Sequence, residues 1–315
     1  MKISRSLNIP SLPARSTCAA LGLFNGLHLG HMAVLGKMLE QAKTHGLTPL
    51  VFTFTANKGN SPAAKDSMAN LLSGPMMNSI LEQMGVQQIV CPDFDEFRGL
   101  EPEQFVRDVL CGRLGVARVV CGYDFHFGKN AAGNTQSLGR WCAELGIAAD
   151  VVPAVLVDGQ PAATRRIRAL VEQGDISAAN RLLGRAFAID FEVIHGRKLG
   201  RTLGWPTINQ AFPGDFVIPR VGVYATITQV DGSRLSSVTN VGTKPTVGSD
   251  GILAETYIQG FSGDLYGKRV QVEFLQFLRA EQKFASLTAL KEAISADATA
   301  AQQIASAMLK TEKER

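Results

Sequence analysis

The sequence predicts two domains of different class: an α/β domain built on a parallel sheet, then an antiparallel β-barrel with terminal helices. Three observations predict it. The chain has 315 residues, and a domain takes roughly 100–200. Up to residue 183, strand-length apolar runs alternate with segments whose apolar residues recur every three or four positions, as in βα units. Beyond about residue 186, short alternating runs are separated by Gly, Pro and Asp clusters, which describes an antiparallel barrel or sandwich. The expected domains are 1–185 and 186–315.

In the first domain, Cys18–Phe24 reads as a strand ending in Gly-rich sequence. Met32–Thr44 reads as a helix, with Met32, Leu35, Met38, Leu39 and Ala42 on one face. Leu50–Phe54 is the next strand, and Asn57–Asn70 a polar loop. Met76–Met84 is helical and Gln88–Cys91 a strand. Pro102 suits the first turn of a helix that runs to Leu114. Arg118–Cys121 and Asp150–Val155 are strands with the helix Gln136–Leu145 between them. Two short helices follow, Arg166–Glu172 and Ser177–Leu183.

In the second domain, Phe187–Ile194, Val223–Ile227, Thr256–Ile258 and Val270–Phe274 alternate as strands do. Turn residues separate them at Pro213–Gly214, Asp231–Gly232, Lys244–Pro245 and Gly263–Asp264. Ser286–Leu309 is helical and Ala-rich, and the charged end Lys310–Arg315 is expected to fray.

Composition narrows the function. With 45% hydrophobic and 19% charged residues, the chain is an ordinary globular protein and not a disordered one. The net charge of +4, from 32 Lys and Arg against 28 Asp and Glu, is too mild for a nucleic-acid surface but suits anionic small ligands. No apolar run approaches the ~20 residues that span a bilayer. Met1–Arg15 lacks the apolar core of a secretion signal. The expectation is a cytoplasmic protein, monomeric or weakly oligomeric, with no nucleic-acid and no membrane partner. Five cysteines, Cys18, Cys91, Cys111, Cys121 and Cys142, are scattered and form no C-x-x-C pair. They suggest neither zinc nor disulfides, and read as small apolar residues in buried strands and helices.

One constellation lies where the first strand gives way to the first helix: Gly22-Leu23-Phe24-Asn25-Gly26-Leu27-His28-Leu29-Gly30-His31. The glycines suit a sharp reversal and close ligand approach. The free N–H groups of a helix start favour an anion, and two imidazoles can donate to a polyphosphate. A metal would need further ligands, and only His45, His126 and His195 remain. Two structurally satisfied loop histidines are the plain alternative. The segment resembles the G-x-F-D-G-x-H-x-G-H signature of the nucleotidyltransferase superfamily. That resemblance implies a Rossmann-like domain in which a phosphate attacks the α-phosphate of ATP and pyrophosphate leaves. His28 and His31 would neutralise charge there, with Gly22, Phe24, Asn25 and Gly30 shaping the phosphate site.

A second patch, Gly122-Tyr123-Asp124-Phe125-His126-Phe127-Gly128, continues to Gly133 and follows a strand end, where α/β sheets bind ligands. It resembles the G-x-D-F-x-F-G-x-x-x-x-G loop of prokaryotic FAD synthetases, which makes Asp124 a nucleotide-binding candidate. Alone, it is also compatible with a turn carrying two core aromatics. Arg166 and Arg168, at a helix start, suit phosphate contacts or a solvated basic turn. The first half departs from the family in places. Asn25 replaces the usual Asp, and Thr53-Phe54-Thr55-Ala56-Asn57-Lys58 stands where T-F-D-P-H-P is common. Ala163, Thr164 and Arg165 replace S-S-T.

The stretch His195-Gly196-Arg197-Lys198-Leu199-Gly200-Arg201-Thr202-Leu203-Gly204-Trp205-Pro206-Thr207-Ile208-Asn209 combines glycines and basic residues ahead of Pro-Thr-x-Asn. Gly allows backbone N–H groups near phosphate, and Arg and Lys supply charge. It matches every fixed position of the riboflavin kinase pattern H-G-x-x-x-G-R-x-L-G-x-P-T-x-N. Asn240-Val241-Gly242, Pro245-Thr246, Glu255-Thr256-Tyr257, Gly263 to Gly267 and Leu278 to Phe284 continue the resemblance in order.

What this resemblance implies is a riboflavin kinase-like barrel that transfers phosphate from ATP to the ribityl 5′-hydroxyl of riboflavin. Thr207 and Asn209 would hold Mg²⁺. Gly196, Arg197, Gly200, Arg201, Gly204 and Pro206 would bind ATP. Asn240, Arg279 and Glu281 would contact flavin, although Arg279 could equally form a rim salt bridge with Glu281. Glu255, which alone would read as a solvent-facing strand carboxylate, would accept the hydroxyl proton. It is expected to point into the barrel mouth, with Thr256 pointing away. The two halves in this order resemble the bacterial bifunctional riboflavin kinase/FAD synthetases. Riboflavin, FMN and ATP are then the small-molecule partners and FMN and FAD the products. The alternatives are a kinase whose first domain binds nucleotide or flavin without transfer chemistry, and a flavin-binding regulator.

Overall fold

The computed structural model describes residues 1–54, 69–196, 204–243 and 251–313. By packing, these fall into two units, 1–54 with 74–163, and 69–73 with 164–313.

The first unit is built on six parallel strands: β1 (Lys2–Ser4), β2 (Thr17–Leu21), β3 (Thr48–Phe52), β4 (Gln88–Val90), β5 (Val116–Gly122) and β6 (Ala148–Val152). Their order across the sheet is β1-β4-β3-β2-β5-β6. Every neighbouring pair is parallel. β2, reading Thr-Cys-Ala-Ala-Leu, is buried along its whole length, as expected where both faces of a parallel sheet are covered. From β2 the chain steps outward to β3 and β4, then returns to β5 on β2's other side. The reversal opens a crevice at the C-terminal ends of β2 and β5. Leu21 and Cys121 lie in register there, so both Gly-rich segments singled out in the first domain leave the sheet side by side.

α1 (Leu29–His45) joins β2 to β3. It buries Val34, Leu35, Met38 and Ala42; Leu35 and Met38 are wholly removed from solvent, worth roughly 1.5–3 kcal/mol each. It ends at Gly46, whose left-handed φ of 63° lets its N–H reach the carbonyls of Ala42 and Lys43. α2 (Gly74–Gln83) follows. α3 begins at Pro102–Gln104 and widens over Phe105–Arg113 into turns closed by five-residue bonds, such as Leu114 N–H to the Val109 carbonyl. α4 (Thr135–Glu144) is capped by Asn134. The parallel sheet and its helices match the sequence expectation. The three-residue β1 and the small hairpin β7 (Leu156–Val157) with β8 (Gln160–Pro161) were not foreseen.

The second unit contains α5 (Thr164–Gln173), α6 (Ile176–Leu183) and an antiparallel sheet. Its strands are β9 (Phe187–Ile189), β10 (Val193–Ile194), β11 (Thr207–Ala211), β12 (Gly222–Val230), β13 (Ser233–Thr243), β14 (Ile252–Ile258) and β15 (Gln271–Arg279). The order is β10-β11-β14-β13-β12-β15-β9. The continuous segment 187–194 closes it into a barrel, because β9 pairs with β15 while β10 pairs with β11. The wholly buried Gln210 reinforces the seam, donating to the carbonyls of Phe191 (2.6 Å) and Val270 (2.8 Å). Asn180 on α6 ties that helix to the barrel: its amide nitrogen donates to Phe274 O and its oxygen accepts from Phe187 N–H.

α7 (Leu287–Lys313) lies across the outer face of β12 and β13, where Ala301 and Ala305 pack on Val223, Ala225, Ile227 and Val238. It runs to Lys313, into the segment expected to fray. Inside the barrel is a chain of buried hydroxyls. Thr228 bonds Ser237, Ser237 bonds Thr226, Thr226 bonds Thr239, and Thr239 bonds Thr256, at 2.7–2.9 Å. Among the described residues no helix is long and apolar enough to cross a membrane.

Candidate functional site

In the first unit, the segment between β2 and α1 is locally unusual. Phe24 and Leu27 take positive φ, 52° and 43°, beside Gly26 at 88°. Side chains rarely adopt that region, and such residues persist where the surroundings fix them. Here the Phe24 ring is buried, and a Cβ on Gly22 would lie 3.2 Å from it. Thr53 Oγ1 donates to the Leu23 carbonyl at 2.8 Å. His28 is the N-cap of α1. Its Nδ1 accepts from the N–H groups of Gly30 (3.1 Å) and His31 (3.4 Å). With Nδ1 an acceptor, the proton of the neutral ring is on Nε2. His31 stacks on His28 at 3.7 Å, and Phe24 meets His31 edge-on at 5.4 Å. A Cβ on Gly30 would lie 3.1 Å from the His28 ring, so glycine gives the imidazole its place.

Gly22, Phe24, Asn25, His28, Gly30 and His31 are thus gathered at the end of β2. Asp124 stands exposed just beyond the neighbouring β5; its carboxylate lies under Gly122, where a Cβ would sit 3.2 Å from Oδ1. Phe125 and Phe127 stack at 5.5 Å, with Phe127 in the core. Arg166 and Arg168 belong to α5 in the second unit. Arg168 Nε donates to the Ala69 carbonyl at 2.7 Å. Partial burial lowers its pKa, against the opposing influence of Glu172.

In the second unit, register places the expected residues in a row. Asn209 is opposite Glu255, and Glu255 is opposite Asn240 on its other side. Directly paired residues share a face, and Thr207 shares it too, two residues before Asn209. This corrects the expected orientation. The barrel interior is the opposite face, where Thr256 is fully buried and bonded to Thr239. Glu255 is half-buried on the outer face, the one that farther along carries α7. The hydroxyl-lined interior explains the inversion, since apolar content does not mark the inner face here.

Asn209 is nearly buried, and its Oδ1 has no hydrogen-bond partner. Gly196 presses its backbone onto the same amide, where a Cβ would lie 2.5–2.8 Å from the Asn209 side chain. Gly204 is exposed with φ 91°, and Pro206 is exposed just before β11. Arg197, Gly200 and Arg201 lie outside the described residues, as do Lys244 to Thr246 and Thr55 to Lys58. Asn240 Nδ2 donates to Glu281 Oε1 at 2.9 Å. Arg279 is not paired with Glu281. Its Nε and Nη2 grip both oxygens of Asp297 on α7 at 2.8–3.1 Å. Sequence reasoning missed Asp297. Its signal was an acid in an Ala-rich helix, four and eight residues before the buried Ala301 and Ala305.

Comparison with known proteins is consistent along the chain. A riboflavin kinase family model matches residues 183–305, and an FAD synthetase family model matches residues 12–166. The bifunctional riboflavin kinase/FMN adenylyltransferase of Pseudomonas fluorescens is 35% identical over 307 residues, covering 97% of this chain and 98% of that protein. The chain belongs to the bifunctional riboflavin kinase/FMN adenylyltransferase family. The member from Bacillus subtilis strain 168 is 32% identical over 289 residues, 88% of this chain and 89% of that protein. A crystal structure titled macrolide-efflux protein, from Streptococcus pneumoniae, superposes with a TM-score of 0.82 at 24% identity, covering 95% of this chain and 98% of that one. It shares the fold.

For a riboflavin kinase/FMN adenylyltransferase, the Asn209 oxygen is informative. A buried amide oxygen with no donor is costly to leave unsatisfied. With the Thr207 hydroxyl on the same face, it is a neutral, hard oxygen donor set of the kind Mg²⁺ takes alongside water and phosphate oxygens. The residues present fit that ion.

Proposed function

We propose that the second unit phosphorylates riboflavin to FMN with ATP, and that the first unit transfers the adenylyl group of ATP to FMN, giving FAD and pyrophosphate. The observation that carries the reading is the row Asn209–Glu255–Asn240, which sets a carboxylate between two amides on neighbouring strands.

In the kinase reaction, Glu255 takes the proton of the ribityl 5′-hydroxyl as that oxygen forms its bond to the γ-phosphorus of ATP. The bond from that phosphorus to the β–γ bridging oxygen breaks, and ADP leaves. An alcohol is a weak nucleophile at neutral pH and gains from a base in hydrogen-bond reach. Thr207 and Asn209 would hold Mg²⁺, which would supply charge neutralisation of the phosphates. Gly196, Gly204 and Pro206 contact the ATP phosphates, and Arg197, Gly200 and Arg201 share that ATP-binding role on the sequence alone. Asn240, Arg279 and Glu281 form the flavin side.

In the adenylyl transfer, a phosphate oxygen of FMN attacks the α-phosphorus of ATP and pyrophosphate departs. The chain supplies no nucleophile. His28 donates its Nε2 proton in a hydrogen bond to the triphosphate, at a helix start already favourable to anions, and His31 stands beside it. Gly22, Phe24, Asn25 and Gly30 shape that cradle, and Asp124 adds a nucleotide contact; Arg166 and Arg168 keep the phosphate-binding role that the sequence alone assigns them. A monomeric or weakly oligomeric state and a cytoplasmic setting complete the reading.

The test is to incubate purified protein with riboflavin, ATP and Mg²⁺ and resolve the flavins by chromatography. FAD is the expected product. FMN alone would remove adenylyl transfer from the first unit, and unchanged riboflavin would overturn the whole reading.

A further inference from the structure

The kinase row is tied to α7 by two consecutive contacts. Asp297 is buried to 8% exposure and meets Arg279 through both oxygens, with N···O distances of 3.1 Å from Nε and 2.8 Å from Nη2. Nη1 of Arg279 donates to the Ala280 carbonyl, and the guanidinium covers the Phe284 ring at 5.5 Å. The end of β15 and the turn after it are therefore held to one place on α7. The adjoining residue strengthens that anchor: the Ala298 carbonyl accepts from Gln259, just beyond β14, at 2.7 Å. α7 is thus fixed to both β14 and β15 at one turn.

Two residues past Arg279, Glu281 lies across β13. Its Oε1 accepts from Asn240 Nδ2 at 2.9 Å. It passes so close over Gly242 that any Cβ there would collide with the carboxylate. Gly242 and Asn240 share a face of β13, so the pattern Asn-x-Gly leaves the space Glu281 needs and supplies the donor that holds it. A carboxylate only accepts, so the bond fixes which way the Asn240 amide is turned. The Asn240 oxygen is left buried with no hydrogen-bond partner, on the face it shares with Glu255.

We propose that Asp297 is a positioning residue of the kinase half, holding Arg279 and Glu281 so that the Asn240 oxygen is presented beside Glu255 to a hydroxyl of a polyhydroxylated substrate chain. The proposal rests on the kinase reading above and extends it to α7. Asn240 makes the contact; Asp297 acts only through Arg279 and Glu281. The oxygen it orients is an acceptor beside a second acceptor, an arrangement that selects hydroxyl donors and suits neighbouring hydroxyls of a polyol.

The experiment uses the full chain and measures riboflavin phosphorylation, its KM for riboflavin and for ATP, and adenylylation of supplied FMN. Asp297→Asn keeps shape and removes the charge. Gly242→Ala displaces Glu281 without touching α7. Both are expected to raise KM for riboflavin by about tenfold or more, with KM for ATP and FMN adenylylation unchanged. Asp297→Glu is expected to recover most of the loss. Wild-type riboflavin KM in both folded variants overturns the proposal, as does an equal rise in KM for riboflavin and ATP. If Asp297→Asn does not fold, Gly242→Ala and Glu281→Ala at the exposed turn decide it by the same criteria. A wild-type chain that makes no FMN would instead sink the kinase reading itself.

Discussion

Asn209 and Glu255 face each other in register across β11 and β14, so the proposed metal-holding amide and the proposed base share one strand pair. Glu255→Gln keeps the shape and removes proton acceptance. FMN formation should fall by roughly 10²–10⁴, the usual contribution of a positioned base. Adenylylation of supplied FMN should stay at the wild-type rate, because the residues assigned to it at the end of β2 belong to the other unit. Chromatography of both reactions with one preparation checks this. Parallel loss of both activities would remove Glu255 from its assigned role.

His28 does two jobs, and a pair of variants separates them. Its Nδ1 caps α1, while Nε2 is the proposed donor to the triphosphate. His28→Ala should lose both, lowering stability by about 1 kcal/mol and FAD formation by roughly 10²–10³. His28→Asn can accept from the same helix N–H groups and should restore the unfolding midpoint but not FAD formation. Denaturant melts and FAD assays on the two proteins decide it. An Asn variant as active as wild type would leave His28 as a cap only.

Gly196 illustrates a motif position whose reason is steric. A Cβ there would press on the Asn209 amide, the group proposed to hold Mg²⁺. Gly196→Ala should raise the Mg²⁺ concentration needed for half-maximal FMN formation several-fold and leave the unfolding midpoint within about 0.5 kcal/mol. A Mg²⁺ titration of the kinase reaction reads it directly. An unchanged titration curve would separate Asn209 from the metal.

The first unit was legible because its strands are buried on both faces. Runs such as Cys18–Leu21 and Val119–Cys121 are apolar throughout, and α1 carries its buried residues at helical spacing. The barrel was less legible for a physical reason. Its interior holds Thr226, Thr228, Ser237, Thr239 and Thr256, all fully buried, so hydrophobic alternation fades along β13 and half of β14. β11 and β13 were visible only as motif residues, and Glu255 was turned to the wrong face. The motifs brought Thr207, Asn209, Asn240 and Glu255 to attention without showing that they lie on one face of three adjacent strands. Asp297 belongs to no motif, and only the packing of α7 shows what it holds.

The thiols give a pH-dependent readout. Burial pushes Cys18, Cys121 and Cys142 up to about 12, from an ordinary 9.0. In the folded chain these sulfurs stay protonated at pH 8, with a thiolate fraction of about 10⁻⁴. A thiol reagent should leave them unlabelled under native conditions, reaching only Cys91 and Cys111, which are partly exposed. The raised values have a signed consequence for stability. Between about 9 and about 12 the unfolded chain releases these protons and the folded chain keeps them, so stability falls as pH rises through that window. Mass spectrometry of native labelling, and melts at pH 8 and 10, check both. Rapid native labelling of Cys121 would contradict the packing of β5.

The hydroxyl chain inside the barrel carries the last prediction. Thr239 is its next-to-last member, bonded at 2.9 Å to both Thr226 and Thr256. Thr239→Val keeps the volume and the β-branched shape, so no cavity forms and strand propensity is preserved. What changes is that two neighbouring hydroxyls lose a partner where water does not reach. Leaving a buried polar group unsatisfied costs about 1–3 kcal/mol, and the loss should appear as a lower denaturant midpoint with an unchanged slope. Replacing Thr226, Thr239 and Thr256 together by Val removes the stranded donors as well. It should recover part of the loss, because apolar groups of the same shape need no partners. If the triple variant were less stable than Thr239→Val by a further increment per hydroxyl, each bond would contribute on its own. Recovery would show that the chain acts as one unit, whose stability comes from having every member satisfied.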